Sequence, residues 1–221
     1  MENLTKIQLI NIFNLLLSHF GKRHWWPGDT SLEIILGCIL TQNVTWKNVE
    51  EAINNLKQKN LINLEAIIAS SDESLGLLLR STRYYNQKAA NIKSFCHNMI
   101  NNFDGSLDNL FLMDIPTLRK YLLSLKGIGK ETADSIILYA ANKPIFVVDA
   151  YTKRIFSRLG YFDSNPSYDQ VQTFFMENLP HDLYLFNEFH ALIVCLGQNF
   201  CKNANPSCKS CILESVCKKK M

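Results

Sequence analysis

The sequence predicts an all-α protein, and three observations predict it. Apolar residues recur at three-to-four spacing through most of the 221 residues. Glycine and proline number only nine and six, so little interrupts the helices. Only Ile145-Phe146-Val147-Val148 reads as strand, and four residues without a partner run make no sheet.

The elements follow in order. Ile7, Leu9, Ile10, Ile12, Phe13, Leu15, Leu16 and Leu17 belong to an opening helix that stops near Gly21. Residues 31–40 read as a buried helix with Thr30 or Ser31 as its N-cap. Helices over 46–57 and 64–70 follow, and 72–79 opens with an Asp/Ser cap signature. Residues 87–101 form another, ended by the turn signal Asn102-Phe103-Asp104-Gly105. Pro116 suits a first helical turn, so 117–124 is a short helix. Helices over 131–142, 149–159, 168–178 and 183–195 complete some ten. No repeat, low-complexity stretch or linker stands out.

Composition narrows the function. Uninterrupted apolar stretches are too short to span a bilayer. The N-terminus lacks a basic segment followed by an apolar core, so no secretory signal is expected. Net charge is only +3, but Leu118 to Arg158 holds eight basic residues against three acids, +5, which leaves −2 for the rest. A local basic surface of this kind suits phosphate binding. Seven cysteines, four of them in the last twenty-one residues, favour a metal site in a reducing compartment over disulfides. Cys38, Cys96 and Cys195 sit singly in apolar contexts, as core residues do.

The basic window centres on Leu125-Lys126-Gly127-Ile128-Gly129-Lys130-Glu131-Thr132-Ala133. Two glycines one residue apart, between two helices, make a tight turn with exposed N–H groups and a helix start behind it. Such a turn grips a phosphate without reading sequence. Asp149 then follows Val147-Val148 at the start of the next helix, a carboxylate placed for chemistry. The C-terminal spacing Cys201-x6-Cys208-x2-Cys211-x5-Cys217 forms a four-thiolate cage for zinc or an iron–sulfur cluster, and spacing alone does not choose between them.

These residues resemble the helix-hairpin-helix DNA glycosylases of the endonuclease III superfamily, over nearly the whole chain. Leu40-Thr41-Gln42-Asn43 looks like the early loop whose Gln enters the duplex beside an extruded base, and Tyr84-Tyr85-Asn86-Gln87-Lys88-Ala89 is similar to a Tyr-Asn-x-Lys-Ala segment. The resemblance implies a two-lobed helix-hairpin-helix glycosylase fold with a C-terminal [4Fe–4S] loop. A helical-barrel domain over 24–135 ends in the hairpin, and 1–23 plus 136–221 form a second helical domain whose cluster loop is 198–221. It also selects [4Fe–4S] over zinc for Cys201, Cys208, Cys211 and Cys217, in a structural role. The loop's Lys202 and Lys209 can then meet phosphates.

Glu131 divides the possibilities. Bifunctional members carry a lysine second after Gly-x-Gly, whose amine attacks the sugar C1′ and permits strand cleavage. A carboxylate cannot do this, and the neighbouring Lys130 points about 100° away around the helix. Together with Trp25-Trp26-Pro27 and Trp46, the hairpin looks like that of the monofunctional 3-methyladenine DNA glycosylases. There, aromatic positions matching Trp25, Trp26 and Trp46 form the base pocket, with Gln42 and Glu131 beside it. Indole faces attract a cationic alkylated purine by roughly 1–2 kcal/mol per contact. Two departures stand: that branch lacks the cysteine loop, and it carries a lysine where this chain has Phe189-His190-Ala191-Leu192. Leu192 therefore takes no part in the chemistry, and His190 reads as a core histidine.

The expected enzyme is thus a DNA N-glycosylase of base excision repair that hydrolyses the bond to an alkylated purine such as 3-methyladenine. Gly127, Ile128, Gly129, Lys130 and Gln42 bind double-stranded DNA with a flipped damaged base, and Asp149 stabilises the oxocarbenium-like sugar or activates water. The expected partner is DNA and not a membrane, and the expected form is a cytoplasmic, nucleoid-associated monomer. The rivals are an endonuclease III-type glycosylase/lyase on oxidised pyrimidines, a mismatch glycosylase, and a non-catalytic DNA-binding module.

Overall fold

The computed structural model of the protein describes residues 2–163 and 165–218. Residues 219–221, the end of the expected cysteine loop, lie outside the described residues. The described chain is helical and contains no strand. It divides into two compact units, one of residues 1–25 with 144–221 and one of residues 26–143.

The unit of 26–143 is built around α2 (Ser31–Leu40), which is apolar nearly all round and buried from Leu32 to Leu40 except at Ile34. Thr30 caps it by accepting from the Glu33 N–H at 3.2 Å. Against it pack α3 (Trp46–Gln58), the long α6 (Tyr85–Phe103) and α9 (Lys130–Ser135), while α4 (Leu64–Ala69), α5 (Asp72–Leu78) and α7 (Leu107–Phe111) pack on α6, and α8 (Ile115–Ser124) on α9. Burial of Ile35, Leu36, Ile39, Val49, Leu56, Ile92 and Phe95 supplies the core, at about 1.5–3 kcal/mol per large side chain. The sequence pattern does not foresee α7, five residues held by the Ser106 cap. Past Ser135 the α9 helix widens over Ile136–Ala140, where Ala141 N–H donates to Ile136 O, five residues back, at 3.0 Å.

The unit of 1–25 and 144–221 joins α1 (Glu2–Phe20) to α10 (Ala150–Leu159), α11 (Tyr168–Asn178) and α12 (Leu183–Asn199). Its core is phenylalanine. Phe146 stacks on Phe175 with centroids 3.9 Å apart, and Phe156, Phe186 and Phe189 meet them edge to face. The strand-like run 145–148 takes no regular secondary structure and joins no ladder. Its backbone is satisfied by side chains: Gln172 Nε2 donates to Phe146 O at 2.8 Å, and Val148 N–H donates to Tyr168 Oη at 3.4 Å.

Candidate functional site

The candidate residues divide between the units. Gln42, Trp26, Trp46, the hairpin and Glu131 belong to the unit of 26–143, whereas Asp149, Trp25 and the four C-terminal cysteines belong to the other.

In the hairpin the two glycines do different work. Gly127 has φ +81°, and any Cβ there would collide with the Asn91 side chain of α6, so only glycine fits. Gly129 has an ordinary extended backbone (φ −91°, ψ 179°) and open space where a Cβ would stand. It is the N-cap of α9 and supplies no side chain to the helix's first N–H groups. Ile128 between them is buried, and its N–H donates to Leu125 O at 3.2 Å. Lys130 and Glu131 are exposed on the first turn. The Glu131 carboxylate adds to the burial that pushes the Cys38 thiol well up, which places it in electrostatic reach of α2. Behind the turn, Arg119 of α8 clamps the buried Asp134 of α9 through two bonds of 2.6 and 3.0 Å.

Gln42 reaches the hairpin. Its Nε2 donates to Gly127 O at 2.9 Å and to Thr132 Oγ1 at 3.1 Å. The backbone beneath it is held by Lys88, a buried lysine of α6. The Lys88 Nζ donates to Leu40 O at 2.8 Å, Gln42 O at 3.1 Å and Thr82 O at 2.6 Å. Burial brings Lys88 down to about 8.

Trp26 and Trp46 meet edge to face at 5.3 Å, and Tyr139 lies 5.4 Å from Trp26. The Trp26 indole covers Gly37 of α2 so closely that a Cβ there would strike it. The two tryptophans share a cavity of about 200 Å³ with Asp29, Glu33, Glu50 and Lys57. Lys57 pairs with Asp29 and Glu33 at 2.8 and 2.7 Å, so three carboxylates face one ammonium. Gln42 and Glu131 are not among the lining residues.

In the other unit Asp149 is the N-cap of α10. Its Oδ1 accepts from Thr152 N–H at 2.7 Å and Thr152 Oγ1 at 2.8 Å. Its Oδ2 lies 3.8 Å from Nε2 of the buried His190. Burial lowers His190 against the opposing pull of Asp149, which keeps the imidazole neutral at pH 7.

Cys201, Cys208, Cys211 and Cys217 line one apolar cavity of about 30 Å³. Among the described residues they are not drawn to ligand distance of a common point. Their shared apolar cavity fits a four-thiolate group all the same. Burial, then the neighbouring cysteines, raises the Cys211 thiol, a repulsion that a bound cation would reverse. Arg154 and Arg158, one turn apart on α10, tie the loop down: Arg154 Nε donates to Cys201 O at 2.9 Å, and Arg158 Nη1 to Cys201 Sγ at 3.4 Å and Lys202 O at 2.7 Å.

The model of the HhH-GPD superfamily of base excision DNA repair proteins matches residues 36–181. The chain belongs to that superfamily. Among HhH-GPD relatives, a Methanocaldococcus jannaschii protein provisionally named a DNA repair glycosylase is 43% identical, over 96% of this chain and 97% of its own length. The H. pylori 3-methyladenine DNA glycosylase bound to 1,N6-ethenoadenine is 29% identical, with a TM-score of 0.77 over 88% of this chain and 97% of that one. An endonuclease III–DNA covalent intermediate is 25% identical, with a TM-score of 0.83 over 97% and 96%. This HhH-GPD chain is thus a DNA glycosylase of base excision repair, with the helix-hairpin-helix fold. No helix among its described residues is long and apolar enough to cross a membrane.

Three residues do more in the structure than the sequence suggests: Lys88 and Tyr84 stand there only within the Tyr-Asn-x-Lys-Ala segment, and His190 only as a core histidine. Lys88 interrupts the apolar face of α6 formed by Ala89, Ile92, Phe95 and Met99, a signal that was present. Tyr84 is 79% exposed with φ +43°, next to Arg83 at φ +52°, a backbone that non-glycine residues adopt at a cost. The approach of His190 to Asp149 joins positions forty-one residues apart, beyond any local pattern.

Proposed function

We propose that this protein is a monofunctional glycosylase that removes cationic, N-alkylated purines such as 3-methyladenine from duplex DNA. The observation that carries the reading is the cavity of Trp26 and Trp46. Indole faces and an excess of carboxylates suit a flat cation and disfavour a neutral oxidised pyrimidine. The positive charge on such a base already weakens its glycosidic bond, so the enzyme needs only to stabilise the sugar cation. Asp149 fits that task. With Oδ1 fixed by Thr152, its carboxylate is held in one orientation at the start of α10, and a neutral His190 adds no counter-charge. Trp25 joins the aromatic set by resemblance alone.

The hairpin grips the backbone through Gly127, Gly129 and Lys130. Glu131 stands where the lyase members carry their nucleophile, so the product is an abasic site in an intact strand. Cys201, Cys208, Cys211 and Cys217 would hold a [4Fe–4S] cluster that braces the C-terminal loop. A purified protein that is brown, with about four irons per chain, supports it over zinc.

The test is a panel of duplexes containing 3-methyladenine, thymine glycol, uracil opposite guanine, and adenine opposite 8-oxoguanine. Release of 3-methyladenine at least about tenfold faster than any other base, roughly 1.4 kcal/mol of discrimination, is the expected result. Preferential release of thymine glycol would establish the endonuclease III-type reading, and binding without release a non-catalytic module.

A further inference from the structure

Lys88 is a buried charge that the proposed chemistry leaves unused. Placing an ammonium in the core costs several kcal/mol unless every proton finds an acceptor. Here every proton does. The three acceptors come from two stretches of chain some forty residues apart: Leu40 and Gln42 on one side, Thr82 on the other. Leu40 O is one of the last carbonyls of α2, without a partner inside the helix, and a cation there also faces the negative end of the helix dipole. The bond to Gln42 O fixes the main chain of a residue whose side chain, in turn, bonds Gly127 O and Thr132 Oγ1. The same α6 face carries Asn91 against Gly127, and Gln87 donates to Asn91 Oδ1 at 3.0 Å.

We propose that Lys88 is a positioning residue for base excision: its three carbonyl bonds set the Gln42 backbone, and through Gln42 the register of the early loop against the hairpin turn. This rests on the assignment of Gln42 to the duplex. Lysine suits the task because a tetrahedral ammonium serves three carbonyls at once, which no neutral side chain of that length can. A neutral amine has two N–H groups and a lone pair, so deprotonation leaves one carbonyl unserved. The charged groups on the elements packed against α6 are Glu33 of α2, paired with Lys57, Glu65 of α4, Asp72 of α5, paired with Lys93, Glu73 of α5, Arg80 of the intervening turn and Asp108 of α7. None contributes to the Lys88 shift, whose cause is burial.

The experiment is single-turnover excision with the full chain, alongside 2-aminopurine fluorescence next to the lesion as a readout of base extrusion. Lys88→Met, of similar length and without charge, is expected to lose about 10- to 100-fold in rate, as misplacement near 1 Å does. Lys88→Arg should recover most of that loss. In a Gln42→Ala background Lys88→Met should add less than about 2-fold, because the two act in one chain. If Lys88→Met does not fold, the folded proteins still decide. Between about pH 7 and about pH 9.5 the extrusion signal of the unmodified protein should fall as Lys88 loses its proton, and that of Gln42→Ala should not. Full activity in Lys88→Met, losses additive with Gln42→Ala, or identical pH profiles would each overturn the proposal. A silent Gln42→Ala overturns the duplex role of Gln42 itself, and additivity on an impaired Gln42→Ala overturns the Lys88 assignment alone.

Discussion

The two helix starts that carry the candidate chemistry are capped in opposite ways. α9 begins at Gly129, which contributes no side chain and leaves open space beside its Cα. α10 begins at Asp149, whose Oδ1 satisfies both the Thr152 N–H and the Thr152 hydroxyl. The first arrangement admits an anion from outside to a helix start. The second supplies its own anion, fixes it in one orientation, and directs the remaining oxygen toward His190. One rule of helix ends thus leaves a helix start open to an anion in one place and holds a carboxylate in the other.

The sharpest break is at Asp149. Asp149→Asn keeps a good N-cap but removes the charge, so single-turnover excision should fall by about 10²–10⁴-fold. Duplex binding and the urea midpoint should stay near their wild-type values. A parallel loss of folding would show that the cap, and not the charge, is the carboxylate's work.

The two hairpin glycines come next, because their roles separate. Gly127→Ala meets both φ +81° and the Asn91 side chain and should cost about 1–3 kcal/mol of stability, measured by urea unfolding. Gly129→Ala meets neither and should change stability by less than about 0.5 kcal/mol. Its methyl group would instead crowd the proposed backbone grip and weaken duplex binding by about 5-fold, roughly one hydrogen bond. Equal effects in both assays would erase the distinction between a structural and a contacting glycine.

The smallest effect is expected at Thr152. Thr152→Val removes the hydroxyl from Asp149 Oδ1 while the backbone bond remains. A loss of about 0.5–1.5 kcal/mol in transition-state stabilisation, 2- to 12-fold in rate, should follow from a less firmly held carboxylate.

Much of this was legible in the residue pattern. The Thr30 cap, the 168–178 helix and Asp149 at a helix start are local features written in cap residues and spacing. The hairpin was legible too, but not that Gly127 alone needs its glycine, since that depends on Asn91 thirty-six positions earlier. The Lys88 clamp and the His190 approach were hidden for the same reason: their partners are distant in sequence. The phenylalanine core is visible as composition, but the bonds of Gln172 and Tyr168 to the 145–148 backbone are purely tertiary. The cysteine spacing points to a four-thiolate site, and the four cysteines line one cavity without being drawn to ligand distance of a common point among the described residues.

The claim at the centre is that Glu131 in place of a hairpin lysine leaves hydrolysis as the only reaction. The most direct measurement is borohydride trapping on duplex DNA carrying 3-methyladenine or an abasic site, with strand integrity read on a denaturing gel. The account predicts free base, an intact strand and no covalent complex. Efficient trapping that disappears in Lys130→Ala would contradict it and assign this protein a lyase mechanism.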